Sequence, residues 1–294
     1  MTPLFTTDLE LKDYLPTTAG FKLQQLQPSL TRALNKYIRE ALGLSQLAAL
    51  STAYAAQLAG TTPLTDAEKI LLAAVRAPLA SFAAQLHVAR GPVQFGATGP
   101  VVSESQNLKP AGAKDMVTLF EAEEAAGYEG IEALLELLEE NRADYPLWAD
   151  SDACTVLHGQ FLTTAKEFDK YVFIDRSRKR FMELQPSIRD VERLYLVPML
   201  GSAQLKELRT QLVAGAVSEL NQELLSYVRP AVASLAMRGD ETRQAIGQTY
   251  LEELHDFLYE HAIDYPLFME SSAYKPAVNI QIAQDSNWGF HAAF

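Results

Sequence analysis

Apolar residues recur at helical spacing along most of the chain. Leu23, Leu26, Leu30, Leu34, Tyr37, Ile38 and Ala41 fall on one stripe of a helix. Ile131, Leu134, Leu135 and Leu138 form a second stripe, and Leu251, Leu254, His255 and Leu258 a third. Thr7 with Glu10, Thr65 with Glu68 and Thr164 with Glu167 have the hydroxyl-then-carboxylate spacing of a capping box, which predicts helix starts. A second helix is expected to begin close to Pro28, and its later counterpart close to Pro186. Gly43 and Gly201 are expected to close those helices, with Pro198 kinking the last turn of the later one. Third helices follow from Leu44 to Leu58 and from Ala203 to Val213, and a fourth runs from the Thr65 cap to Val88. The last long helices stop at Asp144-Tyr145-Pro146 and Asp264-Tyr265-Pro266, because the residue before proline avoids the helical region. The pattern predicts an all-α fold.

The same blocks occur twice in the same order. Leu4-Phe5-Thr6-Thr7 through Tyr14-Leu15 matches Phe161-Leu162-Thr163-Thr164 through Tyr171-Val172. Leu26-Gln27-Pro28-Ser29-Leu30 matches Leu184-Gln185-Pro186-Ser187-Ile188, Tyr37 meets Tyr195, and Leu42-Gly43 meets Leu200-Gly201. Val75-Arg76 and Ser81 match Val228-Arg229 and Ser234, and Asp144 to Trp148 matches Asp264 to Phe268. Ordered matches of this kind indicate a tandem duplication of a multi-helix bundle of roughly 150 residues. The expected division is 1–155 and 156–294, with the joint between Cys154 and Gln160.

The first copy carries roughly thirty extra residues, lying about 90–113 and rich in Gly, Pro, Ser and Asn. Val93-Gln94-Phe95 and Val101-Val102-Ser103 allow a small β-hairpin there; a polar loop fits equally well. After Tyr274 the chain holds Ile280, Ile282, Trp288, Phe290 and Phe294 without helical spacing, which suits an extended tail lying on its own domain or on a neighbouring subunit.

Composition narrows the function classes. The chain has 294 residues and a net charge of −12, which disfavours a protein that coats nucleic acid but not one through which DNA passes. A single cysteine, Cys154, excludes a disulfide framework and any multi-cysteine zinc site. No apolar run of membrane-spanning length and no signal-peptide pattern is expected, so a cytosolic origin follows.

Candidate chemistry is sparse. Glu252-Glu253-Leu254-His255 has the Glu-x-x-His spacing of di-iron bundles, but the first copy has Leu135 where the second has His255, so the second motif is missing. His255 is therefore expected to be a core or interface histidine. Cys154 has no histidine close in sequence and is expected to be a packed thiol. Gly96 to Gly99 lacks the lysine and hydroxyl of a phosphate loop. The acidic runs Glu121 to Glu124 and Glu139-Glu140 are expected on solvated helix faces. No catalytic, metal-binding or cofactor-binding residue is assigned. The segment Arg176-Ser177-Arg178-Lys179-Arg180 is the one basic cluster, and the first copy does not share it. It reads either as a solvated helix start or as a docking site for an acidic neighbour or DNA. Candidate interface residues are thus Arg176, Arg178, Lys179 and Arg180, with Phe95 and Val101 in the insertion and Trp288, Phe290 and Phe294 in the tail.

Three blocks and the insertion together resemble a known family. These are the Thr-Thr-x-x-Glu-Phe-x-x-Tyr-Val opening at Thr163 to Val172, the Leu-Gln-Pro-Ser-Ile to Leu-Gly block from Leu184 to Gly201, and the Tyr-Pro-Leu-Phe close at Tyr265 to Phe268. With the Gly-Pro-Ser-Asn insertion and the Asn-containing aromatic finish, the chain resembles the helical head–tail connector, or neck, proteins of tailed bacteriophages and prophages. The first copy departs from that pattern, with Arg39-Glu40 in place of Val197-Pro198.

The resemblance implies a non-enzymatic subunit of a homo-oligomeric ring in the virion neck, made in the host cytoplasm. Its partners would be portal and tail or other neck proteins, with genomic DNA passing through without sequence-specific binding, and no membrane. The competing readings are a non-viral helical scaffold that binds proteins through its duplicated surface, and an enzyme with a site in the cleft between copies.

Overall fold

The computed structural model describes residues 3–16, 21–89, 93–96, 99–102 and 112–275, with 93–96 and 99–102 described through their backbone. Among the described residues the chain is all-α apart from one short ladder. The first half comprises α1 (Asp8–Lys12), α2 (Leu23–Ala33), a π turn (Leu34–Ile38), α3 (Arg39–Leu42), α4 (Leu44–Leu58) and α5 (Asp66–Val88). Strands β1 (Val93–Gly96) and β2 (Gly99–Val102) pair antiparallel, with Gln94 opposite Val101 and Phe95 opposite Pro100. Then come α6 (Ala113–Glu140), a 3-10 turn (Arg142–Asp144), α7 (Pro146–Ala149) and α8 (Asp152–His158). The second half comprises α9 (Ala165–Asp169), α10 (Arg178–Val191), a π turn (Glu192–Leu196), α11 (Val197–Leu200) and α12 (Ser202–Ala214). It closes with α13 (Glu219–Ala236), α14 (Glu241–Glu260), a 3-10 turn (Ala262–Asp264) and α15 (Pro266–Met269).

Buried apolar side chains form two clusters, one running from Leu4 to Leu157 and the other from Phe161 to Phe268. The two are built on the same joints. Arg76 pairs with Glu10 and donates from Nε to the Leu4 carbonyl at 2.8 Å. Arg229 pairs with Glu167 at 3.2 Å and donates to the Phe161 carbonyl at 3.0 Å. The Tyr145 hydroxyl donates to the Ala67 carbonyl at 3.2 Å, and Tyr265 to that of Leu220 at 2.9 Å. Gly43 and Gly201 take φ of +75° and +78°, a region that a side chain disfavours, and a Cβ on either would press on Ser151 or Ser271. Where α5 crosses α6, a Cβ on Gly127 would come within 2.7 Å of the Phe82 ring. Where α13 crosses α14, one on Gly247 would meet Leu235. Each half thus brings its two longest helices together at a glycine.

Several local expectations are corrected. Helix α2 starts at Leu23 and α10 at Arg178, so Pro28 and Pro186 lie inside helices. Proline leaves the carbonyl four residues back without its usual donor; here that residue is exposed Gln24 or exposed Met182, where water can serve. Pro198 does not cause the irregularity before it. The π turn occurs in both halves, and the first half has Glu40 at that place. The π turn also shifts the stripe: Ala33, Ile38 and Leu42 are fully buried, while Leu34, Tyr37 and Ala41 only pack against the core. Residues 154–158 are no open joint, since they lie in α8 and put Cys154 and Leu157 into the first core. Finally, α5 is long and apolar enough to cross a membrane by length and composition, contrary to expectation. More than half of that window is buried in the core around Leu71, Val75 and Phe82.

Candidate interaction surface

The basic segment lies at the seam between the halves. Asp175 and Arg176 both take positive φ, 59° and 49°, turning the chain sharply before α10. The Asp169 carboxylate holds this turn by accepting the Ile174 N–H at 2.7 Å and the Arg176 N–H at 3.3 Å. Ser177 then caps α10, accepting the Arg180 N–H at 3.3 Å.

This geometry sends the cluster in different directions. Arg178 is only 9% exposed. Its Nη1 lies 3.3 Å from Glu132 Oε2 on α6 and donates to the Thr163 carbonyl at 3.1 Å. Lys179 pairs with Glu124 on the same helix. Lys166, on α9, donates its backbone N–H to Glu132 Oε1 at 3.0 Å, and its Nζ lies 3.3 Å from Glu136. Arg142 of the first half reaches the Val213 carbonyl of the second at 3.0 Å. Burial pushes the Glu132 carboxyl above its usual range, opposed by the Lys166 N–H and by Arg178; burial likewise lowers Arg178, opposed by Glu132.

Arg178 is therefore corrected as a docking residue: it is spent inside the chain, and the acidic neighbour it meets is α6. Arg176, Lys179 and Arg180 remain exposed, Lys179 while paired with Glu124. The acidic runs are corrected in part: Glu121 and Glu140 are exposed as expected. Glu123 and Glu124 are half-buried, and Glu139 Oε1 sits 2.6 Å from His158 Nε2. Sequence reading missed Glu132, Lys166 and Arg142 as seam residues. The available signal was the four-residue spacing of Glu124, Tyr128, Glu132 and Glu136, one ridge on α6 facing the basic segment.

Beside this ridge the halves enclose a cleft of about 330 Å³ between Tyr37, Tyr128, Leu135, Met182 and Gln185, with Arg178 in its wall. Gln185 is buried there with no hydrogen-bond partner on either amide atom.

The remaining candidates fall elsewhere. Phe95 and Val101 sit on paired strands, but their side chains lie outside the described residues, as do Trp288, Phe290 and Phe294. His255 is corrected as a core residue: it is 54% exposed, its ring against Tyr259, while Leu254, Phe257 and Leu258 turn inward. Cys154 is fully buried, and burial raises its thiol pKa, which keeps it in the unreactive protonated form. Among the described residues, no cluster of three or more His, Cys, Asp or Glu is arranged to hold a metal.

Comparison with curated proteins and with solved structures returns no match for this chain. A family model does match, over residues 38–157 and 241–278, described as a family of unknown function, DUF6712. These segments cover α3 to α8 and α14 to α15, with the acidic side of the seam among them. With more than half of its length matched, the chain belongs to the DUF6712 family.

Proposed function

We propose that this chain is a structural subunit of the neck of a tailed phage, joining portal to tail as one member of a homo-oligomeric ring around the DNA channel. One observation carries the reading: the residues on which the resemblance rests are joints of the fold. Thr164 and Glu167 cap α9, the block from Leu184 to Gly201 carries the π turn, and Tyr265 to Phe268 anchors the end of the second half. A subunit whose task is mechanical needs its two halves locked, and the Arg178–Glu132 pair with its neighbours locks them. The acidic exterior suits a conduit, because a wall that bound phosphates would retard the DNA moving through it.

The test is electron cryomicroscopy of particles from the source of this gene, or of this chain co-expressed with portal and tail proteins encoded beside it. A closed ring of this chain between portal and tail is the expected result. Complete particles whose neck density excludes this chain would overturn the reading.

A further inference from the structure

The seam joins the C-terminal face of the first half (α6) to the N-terminal face of the second (α9 and α10). The second half has an equivalent C-terminal face, and the first half an equivalent N-terminal face. Glu132, Leu135 and Glu136 of α6 correspond to Glu252, His255 and Asp256 of α14; Lys166 of α9 corresponds to Leu9 of α1. At the seam Glu132 and Leu135 are buried. Their counterparts Glu252 and His255 are exposed; Asp256 is 80% exposed where Glu136 is 33% exposed, and Leu9 is 73% exposed although it is a large apolar residue.

We propose that these two open faces dock on each other between molecules, so that the α14 face of one chain takes the α1–α2 face of the next as α6 takes α9 and α10 within the chain. The occupant is a second copy of this chain, in head-to-tail orientation. The argument is continuity with an interface already built. The backbone joints that shape each face recur in both halves, including the Thr6 N–H to Glu10 and Thr163 N–H to Glu167 bonds at 2.8 and 2.9 Å. Chemistry differs where the internal seam is strongest: residues 17–22, in the place of the basic segment, hold Lys22 as their one base, so the buried Arg178–Glu132 pair has no equivalent. The position of Lys166 holds Leu9, so an ion pair to the opposing carboxylate is replaced by an apolar contact. The contact between molecules is therefore weaker than the seam, and association is reversible and concentration-dependent. Such a contact uses different patches on the two partners, so it builds a ring where the rotation closes and a filament where it does not. Closure into a ring rests on the proposed neck role; the contact itself does not.

The test uses full-length single-cysteine additions. Leu9→Cys and Asp256→Cys chains carrying different tags are mixed and treated with a short bis-maleimide; native Cys154 is buried and does not compete. Ile263→Cys, 87% exposed, replaces Asp256→Cys as the control. The expected result is a heterodimer linked through positions 9 and 256, well above the control and rising with concentration. Leu9→Lys restores the seam's Lys166–Glu136 type of pair with Asp256 and tightens association about two- to five-fold, whereas Leu9→Glu weakens it by a similar factor. Linkage no greater than the control, with Leu9→Lys and Leu9→Glu indistinguishable, overturns the inference. If neck rings form on particles without 9–256 linkage, the inference fails and the neck reading survives. If linkage occurs in a chain absent from particles, the inference stands and the neck reading fails.

Discussion

Replacing Arg178 by Met tests the seam most directly. Arg178 and Glu132 have side chains 10% and 9% exposed, so neither is well served by water. Removing one member of a buried pair strands the other charge, at a cost of about 3–5 kcal/mol. Glu132→Gln is milder, about 2–3 kcal/mol, because the amide oxygen still accepts the Lys166 N–H and Arg178 still donates to the Thr163 carbonyl. The double variant leaves no stranded charge, so its cost is about 1–2 kcal/mol, well short of the summed single effects. Burial already raises the Glu132 carboxyl, and losing Arg178 raises it further. A folded state that holds this proton more tightly than the unfolded chain gains relative stability as pH falls. The Arg178→Met deficit is therefore largest at pH 8 and shrinks towards pH 5. Urea unfolding at both pH values, with calorimetry, reads all of this; the calorimeter should also show one transition separating into two as the halves uncouple. Additive single and double effects, or a deficit independent of pH, would refute the reasoning.

Other outcomes follow from the same geometry. Gly127→Ala should lower stability by about 1–3 kcal/mol, because the new Cβ would lie 2.7 Å from Phe82; thermal unfolding measures it. Gly43→Ala should cost at least about 1–2 kcal/mol, from φ of +75° together with the press on Ser151, and a crystal structure should show the loop around Ser151 displaced. Burial pushes Glu10 up, but Tyr54, the Thr6 N–H and Arg76 outweigh it and hold its pKa at about 2, against an ordinary value of 4.5. Its stabilisation is fully present above about pH 4.5 and lost as pH falls through about 2. Glu10→Gln should thus cost about 1–3 kcal/mol at pH 7, with the gap to the parent chain closing near pH 2 in denaturant titrations.

Local signals with a single cause were legible. Thr7, Thr65 and Thr164 cap the helices that their following glutamates announced, and α4 runs from Leu44 to Leu58 as its apolar spacing indicated. Two kinds of error remained. The stripe through Leu34 and Tyr37 assumed one helical period, whereas the π turn makes Ala33 to Ile38 a five-residue step between buried positions. The basic cluster was read by its composition, yet Arg178 turns inward because Asp175 and Arg176 bend the chain and α6 offers Glu132. Which of four neighbouring charges is buried depends on a helix about forty residues upstream in sequence, which no local pattern contains. His255 failed as a core residue for the opposite reason: its stripe is real, but the stripe's edge faces solvent in the second half.

The π turn also bears on tolerance to changes in chain length. Each residue of an α-helix advances the face by about 100°, so one extra residue re-aims everything after it. In both halves that extra step lies between a buried residue before the turn and a buried leucine after it, Leu42 or Leu200, which in turn leads into a glycine of positive φ. Deleting one residue within Leu34–Ile38 or Glu192–Leu196 would turn the five-residue step into the four-residue step of a regular α-helix and keep that leucine facing the core, whereas inserting one would swing it out and carry the glycine away from Ser151 or Ser271. These stretches therefore tolerate the loss of one residue better than the gain of one, whereas the connection between α5 and α6, much longer than that between α13 and α14, is where the halves already differ in length.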